Sequence, residues 1–99
     1  MDQKNIRRIF EAYFEKYKKT EGDKKAWSAF WTEITPDGTL EINLTKCPKG
    51  TTFKIFVNKK KVAEVLEWVN FFTTMETVAN RYPGLYDAEK IFNDMEFMI

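Results

Sequence analysis

The amino-acid sequence predicts an α+β domain: one helix, a three-stranded antiparallel meander and two further helices (αβββαα) sharing a single core across residues 1–99. Three observations carry the prediction. Apolar side chains recur at helical spacing from Ile6 and again beyond Lys60, and the stretch between them alternates with period two around the turns "TPDGT" and "CPKGT". A chain of 99 residues is the size of one hydrophobic core, and 43% hydrophobic with 16% aromatic content is enough to fill it.

The first helix follows from Ile6, Ile9, Phe10, Tyr13, Phe14 and Tyr17, with Arg7, Arg8, Glu11, Glu15, Lys16 and Lys18 outside the stripe. "KKTEGDKK" breaks that pattern around Gly22. Each turn then has Pro in second place and Gly in fourth, which suits a type I turn closed by a left-handed glycine and bounds strands at about 27–34, 39–46 and 51–57. The middle strand sets Leu40, Ile42 and Leu44 on one face and Thr39, Glu41, Asn43 and Thr45 on the other.

The first strand leaves two registers open, and a slip of one residue moves every side chain to the opposite face. A three-residue loop pairs Thr35 with Thr39 and turns Trp27 and Trp31 away from the Leu40 face. A four-residue loop pairs Ile34 with Thr39, brings Ala29 and Trp31 onto the Ile42 and Leu44 face, and exposes Phe30 and Ile34. Burying an indole stabilises by roughly 2 kcal/mol or more, which favours the packed arrangement. The strand is apolar in both phases, as in strands covered on two sides, so helix one is available for the second face.

From about Lys60 to Arg81, the spacing of Val62, Val65, Leu66, Val69, Phe72, Met75 and Val78 predicts the principal core helix, its apolar arc widened by Trp68 and Phe71. "RYPGLY" ends it, and Asp87 caps a third helix carrying Ile91, Phe92 and Met95. The tail "MEFMI" reads equally as core and as a dimer contact.

Chemistry is limited by what the chain lacks. There is no histidine, one serine (Ser28) and one cysteine (Cys47), so neither a nucleophile–histidine arrangement nor an ordinary zinc site can be assembled. The glycines stand apart at Gly22, Gly38, Gly50 and Gly84, and none belongs to a phosphate-cradling loop. Asp87, Glu89, Asp94 and Glu96 read as an acidic solvated helix surface. No catalytic residue, metal or cofactor is expected, and the chain is not expected to be an enzyme. Charges near the N-terminus, the absence of an apolar run of about 20 residues and a lone cysteine predict a cytoplasmic protein with no membrane partner.

Net charge is +1, but its distribution is bipolar: residues 46–61 hold six lysines and no acid, while residues 62–99 are strongly acidic. Lys59, Lys60 and Lys61 fall at the expected start of helix two, where the helix dipole favours anions. With Lys46, Lys49 and Lys54 they form a candidate basic patch, and Trp27, Trp31 and Phe56 are the candidate aromatic anchors. This combination points to a non-enzymatic binding module, an inhibitor or adaptor that docks on and occludes a protein partner, itself of the kind that handles nucleic acid. In size and style, though by no motif, the chain resembles the small inhibitors that phages and mobile elements make against host enzymes. The alternative is direct binding of single-stranded nucleic acid, with aromatic stacking and lysine–phosphate contacts. Strand register discriminates the two: outward tryptophans beside Lys54 favour nucleic acid, and inward ones favour a protein.

Overall fold

The computed structural model describes residues 3–20 and 25–98, so the expected break around Gly22 lies outside the described residues. Along the chain it contains α1 (Gln3–Lys16), β1 (Lys19–Thr20), β2 (Trp27–Thr35), β3 (Gly38–Cys47), β4 (Gly50–Val57), β5 (Lys60–Leu66), α2 (Glu67–Arg81) and α3 (Ala88–Met98). The α+β class is as expected, but the sheet is antiparallel with five strands in the order β1-β2-β3-β4-β5, where the sequence predicted three. Of the added strands, β1 is a two-residue pairing of Lys19 with Ser28 and Thr20 with Trp27. The other, β5, replaces the expected first turns of helix two.

The first hairpin takes the register in which Ile34 pairs with Thr39 and Trp31 with Ile42. Thr35 pairs with Gly38, and its hydroxyl accepts the Asp37 N–H at 3.1 Å and donates to the Gly38 carbonyl at 2.9 Å, which closes the turn. Ala29, Trp31, Leu40, Ile42, Leu44, Phe53, Ile55 and Val57 therefore share the buried face.

Residues 60–66 are a strand because of the turn before them. Asn58 (φ 51°) and Lys59 (φ 70°) are both left-handed, the requirement of a two-residue hairpin whose twist matches its strands. Asparagine adopts that region more readily than most residues. Its Oδ1 accepts the Thr39 N–H at 3.0 Å and its N–H donates to the Thr39 carbonyl at 2.9 Å, so the turn is pinned to the neighbouring hairpin. Once it closes, Ala63 and Val65 lie opposite Ile55 and Phe53 on the buried face, with a bulge where the ladder passes from Phe56 to Ile55. Val62, Val65 and Leu66 satisfy a helical spacing equally well, and only the partner strand decides between the two.

The strand runs into α2 without a loop. Leu66 is extended and Glu67 is left-handed at φ 65°, a conformation that costs a non-glycine residue roughly 1–2 kcal/mol. The Glu67 carboxylate accepts the Thr51 N–H at 3.4 Å and occupies space that a Cβ on Gly50 would enter at 2.7 Å. A side chain at position 50 would therefore displace the group that holds this junction.

Helices α1 and α2 cover the same face of the sheet. The ring of Phe10, with no exposed surface, meets Phe14 at 5.9 Å, Trp31 at 6.0 Å, Trp68 at 6.4 Å and Phe71 at 5.6 Å between centroids, and Phe53 stacks on Phe71 at 4.4 Å. Helix one thus does not take the second sheet face, and that face presents Phe30 and Ile34 at 47% and 80% exposure. The apolar character of both phases of β2 reports a core face and an open one.

Asp87 caps α3 as expected, its Oδ1 accepting the Glu89 and Lys90 N–H groups at 3.1 and 3.3 Å. The tail divides: Met95 is buried and Phe97 is exposed. Nearby, burial of the Tyr86 phenol, aided by the charges of Glu76 and Asp87, pushes its pKa up to about 12. The unfolded chain ionises this group near its ordinary value of 10, so the stability from the neutral phenol is complete below about pH 10 and is lost as pH rises towards 12. Thermal melts at pH 8 and pH 11 should show a larger loss of Tm in the native chain than in Tyr86→Phe; equal losses would remove the phenol from the core.

Candidate functional site

The structure disperses the residues that the sequence suggested as one site. Trp31 is core, 4% exposed and edge-on to Phe10. Trp27 shares its face but lies at the rim, half-buried, with the Lys18 and Lys46 ammonium groups 5.7 and 6.0 Å from its ring centre. This rim borders a cleft of about 270 Å³ whose lining includes Arg7, Trp27, Lys46, Thr51, Glu67 and Trp68. Its charged groups already have partners within the chain: Arg7 pairs with Glu11 and lies 5.5 Å from the Trp68 ring centre, and Glu67 holds the Thr51 amide. The cleft is therefore aromatic and of mixed charge rather than an anion pocket.

The lysines do not form one patch. Lys46 and Lys49 stand at the β3–β4 turn, while Lys59, Lys60 and Lys61 stand at the β4–β5 turn, at the other end of a strand about 23 Å long. Lys54 lies midway, on the open face. None of the three consecutive lysines begins a helix; α2 starts at Glu67, and its first turn carries that acid instead. The anion site inferred from the helix dipole is therefore absent at these lysines. Nor is the run isolated from acids, because Glu64 folds back to Lys61 at 3.1 Å, and this hydrogen bond and charge, with Lys54, hold its carboxyl below the usual range.

The open sheet face gathers residues into cross-strand rows. One row reads Phe30, Asn43, Lys54, Glu64; the next reads Thr32, Glu41, Phe56, Lys61. Ile34 pairs with Thr39 beyond the second row, and Leu66 pairs with Thr52 beyond the first. Phe30, Ile34 and Leu66 are exposed at 47%, 80% and 61%, and Phe56 is half-exposed. Lys54 and Lys61 interleave with Glu41 and Glu64 among them, and Lys19, opposite Ser28 on β1, adds a third cation at the edge of this face, which leaves it near neutral. Of the earlier candidates, Lys54, Phe56 and Lys61 meet here, whereas Trp27, Trp31, Lys46, Lys49, Lys59 and Lys60 do not. Phe30 and Ile34 were foreshadowed by the register alternatives, but Leu66 was concealed by its place in an apparent helix stripe.

Among the described residues no group of three or more Cys, Asp and Glu is placed to hold a metal ion, and no helix is long and apolar enough to cross a membrane. No family model, curated protein or solved structure matches the chain.

Proposed function

We propose that the protein is a non-enzymatic binding module of the inhibitor or adaptor kind, and that it docks on a protein partner through the open face of its sheet. The observation that carries this reading is the exposure of Phe30, Ile34 and Leu66 on one face whose charges nearly balance, Lys19, Lys54 and Lys61 against Glu41 and Glu64. Such a face gains by burial against another apolar surface, with Phe30 and Leu66 as anchors and Lys54, Lys61, Glu41 and Glu64 setting orientation at close range. Its mechanism is occlusion.

Two observations favour a protein over single-stranded nucleic acid. A polyanion is held by releasing counterions from several unopposed cations, and the two cations within the rows of this face, Lys54 and Lys61, have the Glu64 carboxylate nearby. The indole with the most to offer a base, Trp27, already has ammonium groups of its own chain beside its ring.

The test uses the full chain as immobilised bait beside Phe30→Glu/Leu66→Glu and a control, Arg8→Glu, on an exposed position of α1. Proteins retained by the native chain and the control should be lost from the double variant, since an anchor of this type contributes about 2 kcal/mol, roughly thirtyfold in affinity. Retention of the same proteins by all three chains would remove the open face from the contact. Labelled single-stranded DNA and RNA, titrated at low and high salt, should show no salt-sensitive binding; tight binding that falls steeply with salt would transfer the function to nucleic acid.

A further inference from the structure

Residues 60–66 carry two conflicting local signals. Val62, Val65, Leu66, Val69 and Phe72 keep the spacing of an amphipathic helix that continues into α2, with no Gly or Pro between them and no capping side chain at Leu66. The chain is nevertheless a strand up to Leu66 and changes habit at Glu67, held in the left-handed region at φ 65°. A glutamate so placed, between two element types, marks strain that a change of local structure would release. The strand itself is weakly held: it lies at the sheet edge, a bulge interrupts it, and Val62, Ala63 and Val65 pack against the core only partly buried, whereas β3 and β4 send Leu40, Ile42, Leu44, Phe53 and Ile55 fully into it.

We propose that residues 60–66 are an exchangeable segment, a strand in the resting state and an N-terminal extension of α2 in a minor state. In the minor state Glu67 relaxes into the right-handed region and the edge of β4 is left open. Val65 then joins the helix face that carries Trp68, Phe72 and Met75. Val62, Leu66 and Val69 align at i, i+4 and i+7 as a second apolar stripe, of which Leu66 and Val69 are already 61% and 71% exposed. What opposes the exchange is also identifiable. Lys59, Lys60 and Lys61 would stand at the positive end of the lengthened helix, and the Asn58–Thr39 and Glu67–Thr51 hydrogen bonds belong to the strand form. The freed β4 edge, with Phe53 and Ile55 inward and Lys54 and Phe56 outward, has the alternation that an added strand requires. This equilibrium belongs to the chain alone and goes beyond the docking reading.

Amide hydrogen exchange and 13Cα chemical shifts of the full chain test it without any partner. Amides of residues 60–66 should exchange at least roughly tenfold faster than those of β3. In Lys59→Glu/Lys60→Glu, where the dipole favours the helix, the 13Cα shifts of residues 62–66 should move from strand towards helical values and ellipticity at 222 nm should deepen. Glu67→Gly and Glu67→Ala both lose the carboxylate that accepts the Thr51 N–H, and only the glycine relieves the left-handed strain, so exchange at residues 60–66 should be slower in Glu67→Gly than in Glu67→Ala. Exchange in β5 as slow as in β3 would overturn the proposal. So would fast exchange with strand shifts retained in the double variant, which identifies simple fraying of an edge.

Discussion

Phe10→Ala is expected to destabilise the protein by about 4 kcal/mol, a large share of the roughly 5–15 kcal/mol that holds a domain of this size. The ring has no exposed surface and joins three elements of the core, meeting Phe14 in its own helix, Trp31 in β2, and Trp68 and Phe71 in α2. Truncation removes the transfer energy of the ring and leaves a cavity whose aromatic walls cannot all close on it. Urea unfolding followed by tryptophan fluorescence should show a much lower midpoint, while Phe10→Leu keeps most of the volume and loses less. Phe30→Ala is the internal comparison, because that ring is 47% exposed on the open face and should cost under about 1 kcal/mol. A Phe10→Ala chain as stable as Phe30→Ala would mean that α1 does not pack against the sheet.

Asn58→Val is expected to cost about 2–3 kcal/mol, although the position is exposed and close to the edge of the sheet. A β-branched residue at φ 51° is a steric outlier, and the change also deletes the carbonyl that accepts the Thr39 N–H. Asn58→Gly separates the two contributions, since it accepts the backbone conformation and loses only the side-chain bond. Chemical denaturation of the three chains should rank native above Asn58→Gly and Asn58→Gly above Asn58→Val. A valine variant as stable as native would mean that the left-handed turn does not determine the path from β4 to β5.

The second variant touches the element that sequence reasoning assigned to a helix and the structure places in the sheet. Where local pattern and global structure agree, the reading from sequence was accurate: the stripe from Ile6 to Phe14 is α1, Leu40, Ile42 and Leu44 point inward, and Asp87 caps α3. From residue 60 the pattern is compatible with both periods. A string of valines and alanine does not record that Phe53 and Ile55 lie alongside, and Asn58 signals a turn only when its φ is known. The candidate site was less legible than the fold for a related reason. A run of lysines without acids looks like a patch along the chain, but β4 separates its ends and Glu64 returns to Lys61 across three residues.

The sequence by itself determined that this is one α+β core with a helix at each end of a meander, because composition and short-range periodicity are properties of the chain. It also limited the chemistry, since residue types that are missing cannot be supplied by folding. Tertiary structure alone decided that Trp31 is core and Phe30 is surface, that residues 60–66 join the sheet, and that the exposed apolar residues share a face with nearly balanced charges. Those outcomes depend on which residues become neighbours across strands. Such pairings are set by register and by the free energy of contacts between distant segments, and neither is written in any local window of the chain.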